Sequence, residues 1–337
     1  MAGTDNHLQA KFATGPVRHT LLLGGDYSRQ RQDVVQGRAE STIDAYAPVY
    51  GGPGYVPITE LTASPRTRQR NAGVYLQDQL RWDNWIVVAG LRHDRSTSAT
   101  EGSEDETTRA NTKRLGLMYA LPAGWSPYVS YTESFTPQPG RTEEGVMYKP
   151  LRGEQVEAGV KYNPVDRPLS ATAAIYRLKE KNRTISDANN PNFGRQVDSS
   201  VNKGVELELK ATLASNLDLL AWYTWIDVDR QLGGVPRSQA AVWGKYRFAL
   251  GDLPGFEAGA GVRYLSAFHD TTDVDTGPRI ASVTLADLMF GFERDRWRYT
   301  LNVNNLADKK YFSTCLARGD CWWGSRRTVF ATASYRF

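Results

Sequence analysis

The sequence predicts an all-β, antiparallel architecture, on three observations: alternation of period two from end to end, a composition rich in rings and glycine, and connections that sort by length. Charges mark the alternation most clearly. Val156, Ala158, Val160 and Tyr162 interleave with Gln155, Glu157, Gly159 and Lys161, and Val205, Leu207, Leu209 and Ala211 with Glu206, Glu208 and Lys210. At the C-terminal end Val329, Ala331, Ala333, Tyr335 and Phe337 interleave with Thr332, Ser334 and Arg336. Each segment has one apolar and one wet face. Val74, Leu76, Leu80 and Trp82 continue the pattern, which Asp78 interrupts as a local exception. Glycine 30, tyrosine 17 and tryptophan 9, against two cysteines and four methionines, is β-type usage. It excludes collagen, a disulfide-stapled miniprotein and a disordered chain.

Extending the alternation gives about fifteen strands, near 6–14, 17–29, 70–81, 85–96, 110–121, 125–134, 151–163, 168–180, 200–213, 216–228, 237–249, 254–267, 279–292, 296–305 and 325–337. No capped stretch of period 3.6 stands out between them, which excludes a parallel α/β fold and a helix bundle. No apolar run approaches the ~18 residues of a membrane helix. The net charge of +4 in 337 residues is too small to argue for nucleic acid.

The short connections are Thr14-Gly15-Pro16, Asp83-Asn84, Pro122-Ala123-Gly124, Asn163 to Asp166, Ala214-Ser215, Asp252-Leu253-Pro254 and Arg294-Asp295. They alternate with long ones at 30–69, 97–109, 135–150, 181–199, 229–236, 268–278 and 306–324. A Greek-key sandwich has no reason to sort its loops this way, whereas an outer-membrane barrel has tight periplasmic turns and extended outside loops. Trp82, Trp85, Tyr162, Trp297, Tyr335 and Phe337 fall at strand ends, where barrel girdles meet headgroups; β-propensity alone is the competing explanation.

Gly73 through Gln79 (GVYLQDQ), Gly90 through Asp94 (GLRHD), Tyr131 through Pro137 (YTESFTP), Glu154 through Tyr162 (EQVEAGVKY), Asn202 through Leu207 (NKGVEL), Asn302 through Asp308 (NVNNLAD) and the terminal Tyr335-Arg336-Phe337 follow one another as landmarks. In that order they resemble the TonB-dependent outer-membrane siderophore receptors. Cys315 through Gly324 (CLARGDCWWG) is similar to the last surface loop of the ferrichrome-type, hydroxamate subfamily, except that Leu316 stands where that loop carries a ligand-contacting aromatic. The resemblance implies a bacterial outer-membrane receptor for ferric siderophores. In the complete protein it is energised through the TonB complex by a plug domain within a barrel of about 22 strands. Residues 1–337 match the last two-thirds of that barrel. Met1 to Asp5 is followed by no apolar signal segment, so the sequence reads as a C-terminal portion without plug or signal peptide. Fifteen is odd and single-chain bacterial barrels close with even numbers, so the expectation is that these residues alone form no stable closed barrel.

In an outside loop, Cys315 and Cys321 read as a disulfide, with two free thiols and, more remotely, a metal site as alternatives. Hydroxamate siderophores enclose iron in their own oxygens, so their receptor needs aromatic walls and a few donors rather than metal ligands. Candidates for ligand contact are Tyr46, Tyr50 and Tyr55 in the longest loop, Phe268 and His269, and Trp322 and Trp323; the bland alternative is that these rings pack loops or meet headgroups. The iron complex is cargo, and no resident cofactor is expected. The partners expected are the ferric hydroxamate siderophore, the TonB complex and outer-membrane lipid, with the receptor a monomer and no nucleic acid involved. His7, His19, His93 and His269 are scattered, and His93 and Asp94 point to opposite faces. Gly51-Gly52-Pro53-Gly54 lacks the Lys and Ser/Thr of a phosphate loop, and Arg318-Gly319-Asp320 is too short a match to an adhesion motif to count. A barrel lipase or protease needs Ser/His/acid spacing that is not visible, and a passive porin rarely carries long loops on nearly every hairpin.

Overall fold

The computed structural model describes residues 1–138, 140–186, 194–229, 232–269, 278–315 and 320–337. Fifteen strands form one sheet in sequence order. They are β1 (Ala2–Thr14), β2 (Val17–Gln32), β3 (Thr67–Trp82), β4 (Trp85–Thr100), β5 (Glu106–Tyr119), β6 (Trp125–Thr136), β7 (Leu151–Tyr162) and β8 (Leu169–Lys181). There follow β9 (Ser200–Ala214), β10 (Leu217–Asp227), β11 (Ser238–Leu250), β12 (Leu253–Leu265), β13 (Val283–Arg294), β14 (Trp297–Asn304) and β15 (Thr328–Tyr335). β1 and β15 stand at the two ends of the order. Among the described residues the one helical element is a 3₁₀ turn at Pro122–Gly124.

The count agrees with the alternation, and the disagreements lie at loop ends. Four two-stranded ladders continue hairpins into the loops: Val35–Gln36 with Thr62–Ala63, Arg183–Ser186 with Gly194–Val197, Phe268–His269 with Arg279–Ile280, and Phe312–Cys315 with Cys321–Trp323. Arg279–Ile280 therefore belongs to a loop ladder, and β13 begins at Val283 rather than near 279. β15 begins at Thr328 rather than 325, because Arg326 and Arg327 are engaged by the loop that precedes them.

The chain divides into two compact units. The first, Met1–Ala10, Leu21–Gln77 and Leu91–Asn111, holds the long-loop portions of β1 to β5 and the loop at 33–66. In it, Arg92 bridges Asp26 at 2.7 Å and Asp94 at 2.6 Å, while the Tyr75 hydroxyl donates to Asp5 at 3.1 Å.

The second unit, Lys11–Thr20, Asp78–Gly90 and Thr112–Phe337, shows why register matters. Antiparallel pairing aligns Val160, Ala173, Leu207, Tyr223, Ala240 and Tyr264 as one row across β7 to β12. A slip of one residue would move every one of them to the other face. The apolar face stays uncovered: Ile175 is 60% exposed, Phe290 52% and Val329 57%. An apolar face left open this way suits hydrocarbon, and water would penalise it. At the short-turn ends rings cluster, Trp85 with Tyr119 at 4.6 Å, Trp125 with Tyr162 at 4.4 Å and Trp297 with Tyr335 at 4.9 Å. The opposite face carries ion pairs, among them Arg263 with Asp287 at 2.6 Å and Arg298 with Glu257 at 2.5 Å. The two-residue turns need left-handed backbone, and Asp83 (φ 47°) and Asp295 (φ 55°) supply it with a residue type that tolerates it.

Candidate functional site: the outer loops

The last outer loop is tied at its neck by Asn305, which is 2% exposed. Its side-chain amide donates to the carbonyls of Lys309 (2.9 Å) and Ser325 (3.1 Å), its Oδ1 accepts from the Lys309 N–H at 2.8 Å, and its own N–H donates to Asp287 at 2.8 Å. One amide thus satisfies backbone from both legs of the loop. A φ of 53° explains why Asn, and not a β-branched residue, occupies this turn. Above it, the Asp308 carboxylate accepts from the Arg326 guanidinium and, at 2.9 Å, from the Arg327 N–H. The Arg326 pair, more than the Arg327 N–H, holds the Asp308 carboxyl well below the usual carboxylate range. The Tyr311 ring lies against Gly324, leaving no room for a side chain there, and the Gly324 N–H donates to the Tyr311 carbonyl at 2.8 Å.

The tip of this loop is a short ladder closed by a disulfide between Cys315 and Cys321. Phe312 stacks on Trp323 with centroids 4.3 Å apart, and Trp322 and Trp323 remain 59% and 62% exposed. The ladder carrying Phe268 and His269 packs through Arg279–Ile280 against Phe312–Cys315. Ile280 and Cys315, one on each ladder, are buried, and the His269 carbonyl accepts from the Gly234 N–H at 2.8 Å. Four of the seven candidate rings, Phe268, His269, Trp322 and Trp323, thus belong to adjoining loops. The departure at Leu316 lies outside the described residues.

A second knot among the outer loops was not legible in the sequence. The Gln138 amide donates to the carbonyls of Lys149 (2.7 Å) and Asn182 (2.5 Å), and its Oε1 accepts from Thr184 N–H at 3.0 Å. Gln196 donates to the same two carbonyls at 2.7 and 2.9 Å, and Asn182 donates to Pro150 O at 3.0 Å. Three amides thereby join the loops after β6 and after β8. No spacing rule singles out Gln or Asn at such separations.

The remaining candidates, Tyr46, Tyr50 and Tyr55, sit on the loop at 33–66 and are 100%, 88% and 59% exposed. Asp33 fixes its base, accepting from Arg66 at 2.5 Å and Arg31 at 2.7 Å, and these two cations hold its carboxyl below the usual range. Higher up, Asp44 accepts from the N–H groups of Tyr46 (2.7 Å) and Ala47 (3.1 Å), an Asx turn that likewise depresses its carboxyl. Thr42 N–H donates to Gly54 O at 3.0 Å, and Ser41 exchanges hydrogen bonds with the Val56 backbone. Around these ties lies an open hollow of about 460 Å³ that includes Ile43, Val49 and Pro53.

At the short-turn end the break at Asp78 has a physical reason. Asp78 Oδ2 is 2.6 Å from His19 Nδ1, His19 Nε2 is 2.7 Å from Thr14 Oγ1, and the Phe12 ring stacks on His19 at 4.7 Å. The interruption in β3 is the partner of a histidine in β2. A period-two reading of one strand does not see a partner on the next.

A family model described as "TonB dependent receptor-like, beta-barrel" matches residues 2–306. The chain is 33% identical to the ferrichrome outer membrane transporter/phage receptor of Escherichia coli K12, over 99% of this chain and 48% of that protein. It is 32% identical to the ferrioxamine B receptor of Salmonella typhimurium, over 99% of this chain and 50% of that one. It therefore spans about half the length of the curated relatives it matches. Among solved structures it resembles the closed form of the ferric-catecholate import receptor Fiu of E. coli K12, with a TM-score of 0.81 at 19% identity over 99% of this chain and 54% of that one. The pyoverdine receptor FpvA of Pseudomonas aeruginosa gives a TM-score of 0.80 at 22% identity over 98% of this chain and 48% of that one. With its fifteen antiparallel strands, sorted loops and open apolar face, the chain belongs to the TonB-dependent receptor β-barrel family of outer-membrane proteins.

Proposed function

We propose that residues 1–337 are the C-terminal portion of the barrel of an outer-membrane importer of ferric hydroxamate siderophores, energised through TonB in the complete receptor. One observation carries this reading: over 99% of the chain the identity is 33% to a ferrichrome transporter and 32% to a ferrioxamine B receptor. The loops supply the rest of the support. Phe268, His269, Trp322 and Trp323 stand on adjoining loops, the first two half-buried and the tryptophans exposed, and such rings offer flat apolar walls to an organic shell while leaving the iron to its own hydroxamate oxygens. Tyr46, Tyr50 and Tyr55 would add contacts from the longest loop. The chain binds and passes its cargo; it makes and breaks no bond, takes no resident cofactor and works as a monomer in outer-membrane lipid.

Uptake of iron-55 from ferrichrome and from ferrioxamine B, by cells whose only such receptor is the complete protein, tests this. Uptake should require TonB, and a receptor that takes up neither complex, or either one equally well without TonB, would refute the assignment.

A further inference from the structure

The membrane face of β11 to β15 is not uniform. Register aligns Phe248, Phe256, Phe292, Tyr299 and Ala333 in one row, and Ala258, Phe290, Leu301 and Ala331 in the next. The rings of the first row run together, Phe248 to Phe256 at 5.8 Å and Phe256 to Phe292 at 4.6 Å. Next to them the alanines are too small to fill their positions, and a groove of about 550 Å³ opens between Phe256, Phe290, Phe292, Tyr299, Leu301 and the two alanines of β15. Its walls on β12 to β14 do not depend on what lies beyond β15.

What borders the groove decides what fits it. Toward the short turn the same face ends in the tilted pair Trp297 and Tyr335, the ring type that sits among headgroups. Arg294 lies two residues beyond Phe292 on the same face of β13, and Arg296 follows in the turn. The acid between them, Asp295, is 87% exposed at its side chain and only 3.9 Å at best from Arg294, so it does not saturate that guanidinium. Apolar length followed by a ring collar and then two guanidinium groups matches an acyl chain, a glycerol backbone and a phosphate in that order. Short turns place this end in the periplasmic leaflet, which is the phospholipid leaflet's side of the barrel.

We infer that this groove is a binding site for one anionic phospholipid, seated with an acyl chain across Phe256, Phe290, Phe292 and Leu301 and its phosphate against Arg294 and Arg296. The inference rests on the outer-membrane reading, though not on the identity of the siderophore.

The test uses the complete receptor in mild detergent, exchanged with phosphatidylglycerol or phosphatidylethanolamine and weighed by native mass spectrometry. One phosphatidylglycerol should persist through dilution where phosphatidylethanolamine is lost. Arg294→Gln with Arg296→Gln, which changes only an exposed strand-end residue and an exposed turn residue, should weaken retention roughly tenfold for each guanidinium–phosphate contact removed. Ala331→Phe with Ala333→Phe should abolish it by filling the groove. Ferric siderophore binding and heat-modifiable migration should be unchanged in both variants. Equal retention of both lipids, retention of lipopolysaccharide instead, or retention unaltered in the arginine variant would overturn the site. Loss of siderophore binding in the unmodified receptor, with lipid retention following the groove, would instead refute the importer reading and leave the site standing.

Discussion

The last outer loop and the loop at 33–66 both present aromatic side chains, and they hold them by different means. In the last loop a buried asparagine ties both legs, a carboxylate grips two successive arginines, a disulfide closes the tip and Phe312 supports Trp323 from beneath. The longer loop is fixed at its base by Asp33 and a short ladder, and above it by an Asx turn and the ties of Ser41 and Thr42 to the Val56 and Gly54 backbone, while Tyr46 stacks on no ring among the described residues and is fully exposed. A side chain already held in place loses less freedom on binding than one that must be ordered by the ligand. On the proposed function, preset walls would therefore fall to the last loop, and the longer loop would be ordered by the ligand.

The comparison breaks most readily at Asn305. Asn305→Ala leaves Lys309 N–H and the carbonyls of Lys309 and Ser325 without their partner and places alanine at a φ of 53°. These bonds are part-buried, so each group left without its partner costs at the lower end, about 1 kcal/mol, and local opening of the neck should become up to about a hundredfold more frequent. Hydrogen exchange at the Lys309 amide measures it. Ser41→Ala, the counterpart in the long loop, removes bonds that water can replace, and exchange at Val56 should change less than about fivefold.

Ligand affinity sharpens the same contrast. In the complete receptor, Trp322→Ala with Trp323→Ala should weaken ferric hydroxamate binding by roughly 1 to 3 kcal/mol, as for anchored aromatic contacts generally. Tyr46→Ala, Tyr50→Ala and Tyr55→Ala together should cost less affinity and act mainly on the dissociation rate. Titration calorimetry and stopped-flow release separate the two, and a larger affinity loss for the tyrosines would reverse the assignment.

How much of this was legible in the sequence follows from range. The strands, their count and the sorting of the turns depend on period two and on local turn residues, and both are written along a single segment. Cys315, Cys321, Trp322 and Trp323 were legible as a group because they are adjacent in the chain. The knot of Gln138, Asn182 and Gln196, the neck at Asn305 and the pairing of His19 with Asp78 were not. In each, side chains meet across strands or loops that only the folded register brings together. The strand starts near 279 and 325 missed for the same cause, since loop ladders and the grip of Asp308 on Arg326 compete for those residues.

Reduction of the tip should have a smaller effect than loss of the neck. A ring closed by a sequence separation of 6 contributes up to about 2 kcal/mol by the loop-closure relation, confined to the segment it spans. In the native, unreduced receptor both thiols should resist maleimide, and Cys315→Ser with Cys321→Ser should raise proteolysis within 315–321 while leaving exchange at Lys309 unchanged. Rapid labelling without reductant would show that the neck alone sets the loop.

Acid provides the finest discrimination, because each loop has one carboxylate that accepts backbone N–H groups. Asp44 is depressed by the N–H groups of Tyr46 and then Ala47, and Asp308 by the Arg326 guanidinium and then the Arg327 N–H. Both are lower when folded than in an open chain. Their contributions are therefore complete above the ordinary aspartate value of about 4 and fade as pH falls through the folded value. The shift at Asp308 is the larger, since a full guanidinium charge opposes its protonation where Asp44 has only amide dipoles. On acidification below about pH 4, protection of the Tyr46 and Ala47 amides should decline first and that of Arg327 later. Protection must be scaled to the intrinsic exchange rate at each pH. Asp44→Asn keeps an acceptor oxygen but cannot be protonated in this range, so it should remove the first decline without touching the second. If Arg327 loses protection before Tyr46, the guanidinium does not hold Asp308 in solution, and the last loop is no more firmly set than the long one.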